Sequence, residues 1–178
     1  MPSTQWVIDP LHSEVHFKVK HLMIATVTGT FTSYTAEMKS DATDFSDAQI
    51  SFSADIASIS TGNDQRDGHL KSDDFFNAEQ FPTMRFASSG LRSTGNNTYV
   101  LAGDMTIRDV TKSIELTVEY GGTMVDFYGN TKAGFEIVGK LSRKEFGLKW
   151  DAVTEAGGVV VSDEVRLVLS IQMQKVAA

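Results

Sequence analysis

The sequence predicts an all-β protein in which about eight antiparallel strands close into a barrel, with one short helical segment. Apolar and polar residues alternate with a period of two in five separate segments, the pattern of a strand with one buried face and one wet face. These segments recur without intervening long helices, which indicates antiparallel neighbours. Since every strand then has an apolar face to bury, we expect closure into a barrel, which also removes exposed sheet edges.

The individual strands follow from this alternation. In the first, Val15, Phe17 and Val19 are apolar and their neighbours are polar. The clearest segments are residues 13–20, 48–56, 99–107, 113–120 and 164–174. Three weaker segments complete the set, at residues 27–39, 83–89 and 132–141. The parity of segment 27–39 changes between Phe31 and Tyr34, which predicts a bulge or bend there.

Turns and one helix separate the strands. Turn-forming residues lie at Gly95-Asn96-Asn97, Gly121-Gly122, Gly129-Asn130 and Gly157-Gly158. Residues 61–64 supply capping groups for a helix over residues 65–72, and a second short turn carries Phe75 and Phe76. Pro82 returns the chain to extended structure. We therefore expect a short helical insertion near residues 63–77 that covers one mouth of the barrel.

Composition excludes several functional classes. The chain has 178 residues, which predicts a single domain over residues 1–178, and its net charge of −7 argues against a nucleic-acid partner. It contains no cysteine, so disulfides, thiolate nucleophiles and cysteine zinc sites are excluded. No apolar run is long enough for a membrane span. The N-terminal residues lack a signal-peptide pattern, which predicts a cytoplasmic protein, or a periplasmic one if a leader has been trimmed.

Two polar groupings near the N-terminus favour structural roles. Asp9, His12 and Ser13 invite comparison with a hydrolase triad, but on a strand His12 and Ser13 point to opposite faces and cannot share a proton. His12 and His16 lie roughly 13 Å apart on a strand, too far for one zinc ion. His21 is different, because its parity points inward. It is either a hydrogen-bonded core residue or a polar anchor inside a pocket.

The charged and apolar residues leave two alternatives open. Arg66 and Lys71 belong either to a solvated helix face with local ion pairs or, like Arg143, to a barrel rim where one of them holds an anionic head group. An eight-stranded barrel is either filled by side chains or holds one small ligand, and periodicity does not separate these cases. The inward positions Gly103 and Gly139 indicate space left in the interior.

Several motifs carry a resemblance to a known family. The opening pattern is Trp6-x-x-Asp9-x-x-His12-Ser13-x-Val15-x-Phe17-x-Val19-x-His21. The central pattern is Ser58-Ile59-x-Thr61-Gly62-Asn63-x-x-Arg66-Asp67-x-x-Leu70, then Phe75-Phe76 and Phe81-Pro82-Thr83. The later blocks are Gly103-Asp104-Met105-Thr106-Ile107-Arg108-x-Val110-Thr111-Lys112 and Arg143-Lys144-x-Phe146-Gly147-Leu148. In this order they resemble the YceI-like proteins over nearly the whole chain, with Ser142 standing where the family commonly has Asn.

The resemblance implies an extended eight-stranded, lipocalin-like antiparallel barrel that binds a long isoprenoid, of polyprenyl or quinone type, in an apolar tunnel. It implies no catalytic residue, no metal and no cofactor other than this lipid, and it implies a homodimer. Inward parity and resemblance together predict the ligand-binding residues Phe17, Val19, His21, Phe31, Phe52, Phe75, Phe76, Met105, Ile107, Phe135, Phe146, Trp150, Leu167 and Leu169. The head-group candidates are His21, Arg66 and Arg143.

The predicted function is therefore non-enzymatic binding, transport or sequestration of an isoprenoid-type amphiphile. One alternative is a stress-related interaction or scaffold protein whose barrel is filled and takes no ligand. Another is an enzyme that acts on a bound quinone or prenyl diphosphate, which would require polar groups converging at one end of the tunnel.

Overall fold

The computed structural model describes residues 4–22, 24–150 and 161–177, and within them one antiparallel sheet accounts for most of the chain. The strands are β1 Gln5–Ile8, β2 Glu14–His21, β3 Ala25–Phe31, β4 Tyr34–Lys39, β5 Gln49–Asp55, β6 Ile59–Ser60, β7 Thr83–Gly95, β8 Thr98–Ile107, β9 Val110–Val125, β10 Thr131–Ser142 and β11 Val161–Lys175. Helix α1 spans Asp64–Lys71, and short 3-10 turns span Pro10–His12, Ile56–Ser58 and Lys144–Phe146. No helix among the described residues is long and apolar enough to cross a bilayer.

The sheet closes into a barrel with eight strand positions. The ring runs β1-β4-β5-β7-β8-β9-β10-β11 and returns from β11 to β1. Strand β2 prolongs β1 along the same edge of β11, β3 likewise prolongs β4, and β6 prolongs β5. At three of the eight positions, the strand is thus interrupted and consists of two shorter strands placed end to end. The predicted eight-stranded antiparallel barrel is confirmed.

The breaks between paired strands have local causes. Asp9 ends β1, and its side chain accepts a hydrogen bond from Leu11 N (3.2 Å), which stabilises the 3-10 turn before β2. The predicted bend between Phe31 and Tyr34 is the break between β3 and β4, so segment 27–39 is two strands rather than one. Strand β1 itself was missed by the alternation pattern, because four residues are too few to establish a period.

One predicted turn is wrong. Gly121 and Gly122 lie inside β9, where Gly134 of β10 pairs with Gly122 and Phe135 pairs with Tyr120. Gly121 is therefore the extra residue of a β-bulge, and Gly122 takes φ of +119°, which favours glycine. The turns at residues 95–97 and 129–130 do separate strands, whereas Gly157-Gly158 lies outside the described residues.

The helical insertion connects β6 to β7. Asn63 caps α1, because its side-chain oxygen accepts a hydrogen bond from Arg66 N at 3.0 Å. Strand β6 pairs with β3, and β7 pairs with β5 from Thr83 onward. The insertion thus begins and ends at one end of the barrel, as predicted for a segment that covers a mouth.

The inward glycines hold neighbouring side chains instead of leaving space, so the expectation from Gly103 and Gly139 is wrong. A Cβ atom at Gly103 would lie 2.4 Å from the ring of Phe86. At Gly139 it would lie 2.2 Å from a methyl group of Leu116. A large neighbouring side chain therefore occupies the volume beside each of these glycines.

Candidate ligand tunnel

An apolar cavity of about 190 Å³ lies inside the barrel. All but one of the described residues that line it are apolar, the exception being Arg143. The lining side chains come from the inward positions of the strands and from the helical insertion, as alternation requires. Four methionines, Met38, Met84, Met105 and Met173, lie among them. Because methionine is unbranched and flexible, this wall can adapt to the shape of an apolar guest.

Most of the predicted ligand-binding residues come together around this cavity. The residues that line it are Phe17, Val19, Phe31, Phe52, Phe75, Phe76, Met105, Ile107, Phe135, Leu167 and Leu169. Phe146 does not: it is 1% exposed and lines neither this cavity nor the one at the mouth described below. Sequence reasoning passed over Met84, Phe86 and Ile171, although the same alternation pattern points them inward.

A second cavity of about 360 Å³ lies at the mouth, between α1 and the end of the β2–β3 hairpin. The two cavities share the wall residues Phe17, Val19, Leu70, Phe75 and Val161, so they adjoin. The polar residues of the mouth cavity are Lys20, His21, Thr61, Asn63, Gln65, Arg66 and His69. None of the described residues lining it is acidic. An apolar interior therefore adjoins a polar mouth whose charged groups are basic.

The predicted residues His21, Arg66 and Trp150 lie at this mouth. Arg66 is half-buried, and it donates from Nε to Thr61 Oγ1 (2.7 Å) and from Nη2 to Thr61 O (2.8 Å). Buried Asp67 accepts hydrogen bonds from the backbone N and the hydroxyl of Thr61 at 2.8 and 2.6 Å. This network fixes Arg66 beside the mouth. The ring of Trp150 lies edge-on to His69, with centroids 4.7 Å apart.

Arg143, the third head-group candidate, is buried and bonded to backbone carbonyls. It is 3% exposed, and its guanidinium donates to the carbonyls of Ser162 (2.8 Å), Leu148 (2.7 Å), Trp150 (2.7 Å) and Val161 (3.0 Å). Buried carbonyl groups require such donors. The geometry therefore assigns Arg143 to holding together the chain segments that form the mouth.

Arg108 has a comparable role that sequence reasoning missed. It lies in the short turn between β8 and β9 with φ of +55°. Its guanidinium donates to the carbonyls of Asp73 (3.0 Å) and Phe75 (3.1 Å) and to the Asp73 carboxylate (3.0 Å), and it lies 5.6 Å from the ring centroid of Phe81. Arg108 thus fastens the helical insertion over the mouth. The available signal was its place in the block from Gly103 to Lys112.

The grouping of Asp9, His12 and Ser13 forms a structural network toward the other end of the barrel, in which Ser13 is buried and His12 is exposed. His12 Nδ1 lies 2.7 Å from Asp9 Oδ2, but the Ser13 hydroxyl donates to the Asp9 carbonyl (2.7 Å) and accepts from Gln172 N (2.9 Å). Lys132, which is 8% exposed, donates to the same Asp9 oxygen at 2.5 Å. Burial raises the pKa of Asp9, but hydrogen bonds from Lys132 and His12 outweigh this and lower it overall. Among the described residues, no three His, Asp or Glu side chains converge as metal ligands.

Comparison with known proteins decides the family. Residues 6–173 match the family described as YceI-like domain. The chain belongs to the YceI-like family. A UPF0312 protein of Staphylococcus aureus is 32% identical over 95% of this chain and 96% of the relative. One from Staphylococcus epidermidis is 31% identical over the same shares.

Solved structures of similar proteins share the fold of this YceI-like chain. A Campylobacter jejuni YCEI protein superposes with a TM-score of 0.75 at 31% identity, covering 89% of this chain and 90% of the other. Burkholderia cenocepacia BcnA gives 0.81 at 22% identity, covering 93% and 98%. A domain from Saccharophagus degradans, described as polyisoprenoid binding, gives 0.67 at 15% identity, covering 95% and 97%.

Proposed function

We propose that this YceI-like chain binds an amphiphile with a long isoprenoid-type tail, of polyprenyl or quinone class, and carries or sequesters it without chemical change. The observation that supports this most strongly is the apolar lining of the interior cavity, which adjoins a polar mouth without acidic residues. A tail buried there is removed from water, at about 0.8 kcal/mol for each CH₂ group. The polar end stays at the mouth.

The mouth supports a ligand whose head group is anionic or accepts hydrogen bonds. Lys20 and Arg66 contribute positive charge there, and His21 and His69 contribute ring nitrogens. A phosphate or a quinone carbonyl accepts hydrogen bonds from donors of this kind. Within the described part of the tunnel wall, the one ionisable group is Arg143, and its bonds to backbone carbonyls suit structural support better than proton transfer. This favours binding over catalysis.

The small size of the cavity is the observation that favours the rival function, a filled barrel that serves as a scaffold. A space of 150 Å³ holds a benzene molecule, so about 190 Å³ is small for a long tail. Either the methionine and phenylalanine side chains move aside on binding, or the barrel is a filled scaffold that serves an interaction partner. The protein from Saccharophagus degradans that shares this fold is described as polyisoprenoid binding, which supports the first reading.

The proposal is tested with two neighbouring substitutions on β2. Phe17 lines both cavities, whereas Lys18 is exposed on the outer face of the barrel. Phe17→Asp places a carboxylate on the path of the tail, so we expect the uptake of a prenyl alcohol of about four isoprene units, measured by native mass spectrometry, to fall at least tenfold. Lys18→Asp is the matched control and should retain uptake.

Thermal unfolding first verifies that both variants are folded. Equal uptake by folded Phe17→Asp and the unsubstituted protein would contradict the proposed site. Failure of the unsubstituted protein to take up any prenyl chain would instead favour the filled scaffold.

A further inference from the structure

We propose that Phe45 is the floor of the tunnel and sets the length of the apolar tail that the protein accepts; this inference rests on the proposed function. Phe45 lies in the loop of residues 40–48, which joins β4 to β5 at the end of the barrel opposite α1. Its side chain is 3% exposed although it belongs to a loop. Loops normally run over the surface of a protein, so this burial requires an explanation.

The ring of Phe45 crosses the lumen of the barrel. Its centroid lies 5.5 Å from that of Tyr120 on β9 and 5.4 Å from that of Phe135 on β10. In the eight-membered ring of strands, β9 and β10 stand directly opposite β4 and β5. Trp6 of β1 packs edge-on against the same ring, with centroids 5.5 Å apart. Of these rings, Phe135 lines the cavity, and Phe45 packs directly behind it at the end of the barrel opposite α1.

The loop holds Phe45 in a conformation that is unfavourable for a bulky residue. The φ angle of Phe45 is +58°, in the left-handed region, where the Cβ atom of a non-glycine residue crowds the backbone. Such strain persists only where surrounding contacts enforce it, and it marks functional positions more often than others. The cost therefore points to a role for the aromatic ring in the lumen.

Hydrogen bonds on both sides of Phe45 fix the loop. The Asp47 carboxylate accepts from the Ser40 hydroxyl (2.5 Å) and from Asp41 N (2.9 Å). The buried hydroxyl of Tyr99, on β8 across the lumen, donates to the Asp44 carbonyl at 2.9 Å. The floor is thus tied to the far wall of the barrel.

The depth of the tunnel gives the number of isoprene units that fit inside it. Val165 and Met173 both line the cavity and lie eight positions apart on β11. At roughly 3.3 Å per residue and a strand tilt of about 40°, they are separated by roughly 20 Å along the barrel axis. An extended chain with carbon–carbon bonds of about 1.5 Å advances roughly 5 Å per isoprene unit, so about four units fill this depth.

The test measures binding of prenyl alcohols of increasing length to the whole chain by native mass spectrometry. For the unsubstituted protein we expect affinity to rise with length and to level off once the tail reaches Phe45. Phe45→Gly removes the ring, and glycine suits the positive φ. The chain length at which affinity levels off should then increase by at least one isoprene unit, and the affinity for that longer chain should rise tenfold or more. Phe45→Trp places a larger ring at this position and should decrease the chain length at which affinity levels off.

Phe146→Leu is the control, because Phe146 is comparably buried but lies in the Lys144–Phe146 turn, at the end of the barrel opposite the Phe45 loop. The longest tail that this variant accepts should match that of the unsubstituted protein. An unchanged limit in both Phe45 variants would overturn the role of Phe45 while leaving the proposed function standing. Absence of prenyl binding by the unsubstituted protein would overturn both. If Phe45→Gly does not fold, the expected shortening in Phe45→Trp still decides the question.

Discussion

Replacing Ala36 by phenylalanine tests whether the cavity can accommodate an added side chain. Ala36 lies on β4, is 9% exposed and lines the cavity. Its methyl group would be replaced by a benzyl group that projects into the path of the tail. Because a space of 150 Å³ accepts benzene, about 190 Å³ is large enough for the added ring.

The magnitude follows from two opposing effects. Filling a benzene-sized space at about 24 cal/mol per Å³ stabilises the fold by up to roughly 3.5 kcal/mol. Imperfect fit of an added side chain costs about 1–3 kcal/mol. Together these effects leave the free energy of unfolding of the unliganded protein nearly unchanged or raised by up to about 2.5 kcal/mol. Without such space, only the cost of about 1–3 kcal/mol remains.

Urea unfolding and uptake of a prenyl alcohol measure the two consequences. For Ala36→Phe we expect stability to be retained and uptake to fall at least tenfold, because the ring occupies the space that the tail needs. Ala87→Phe, at an exposed position on β7, is the control and should alter neither quantity. A loss of stability together with unchanged uptake would refute the account of the cavity.

Three further predictions concern the fold around the tunnel. Since the pKa of Asp9 is lowered on folding, the ionised carboxylate stabilises the fold above about pH 4, and this stabilisation is lost as pH falls through the folded pKa. Asp9→Asn should therefore flatten the acid dependence of stability, and it should cost about 3 kcal/mol because Lys132 is left unpaired. Urea unfolding at several pH values measures both effects. Gly103→Ala places Cβ 2.5 Å from a backbone oxygen and should cost about 1–3 kcal/mol, whereas Gly90→Ala meets no atom within 4 Å and should cost nothing in the same assay. Arg108→Ala removes hydrogen bonds that hold the insertion over the mouth, so ligand dissociation, followed by displacement, should be about tenfold faster.

The barrel and most of its lining could be predicted from the sequence, because alternation records directly which face of a strand is buried. Met105 and Ile107 face the cavity for that reason. The same reasoning could not determine whether an inward position leaves space. Gly103 does face inward, but the ring of Phe86 on the neighbouring strand occupies the volume beside it.

Residues whose partners are distant in the chain were harder to interpret. Arg143 has the charge of a head-group ligand, yet its partners are backbone carbonyls up to 19 positions away, which no local pattern shows. Phe45 lies outside every alternating segment, and its place in the lumen depends on a loop conformation with positive φ. Gly121 and Gly122 have the composition of a turn, but the pairing of β9 with β10 makes them a bulge.

The most direct measurement is native mass spectrometry of the protein as purified from cells, followed by organic extraction of whatever dissociates. We expect a stoichiometric adduct with the mass of a polyprenyl or quinone compound, and the same spectrum reports whether the protein is a monomer or a dimer. A bare protein that also takes up no added prenyl alcohol of any length would contradict the account and leave the filled scaffold as its replacement.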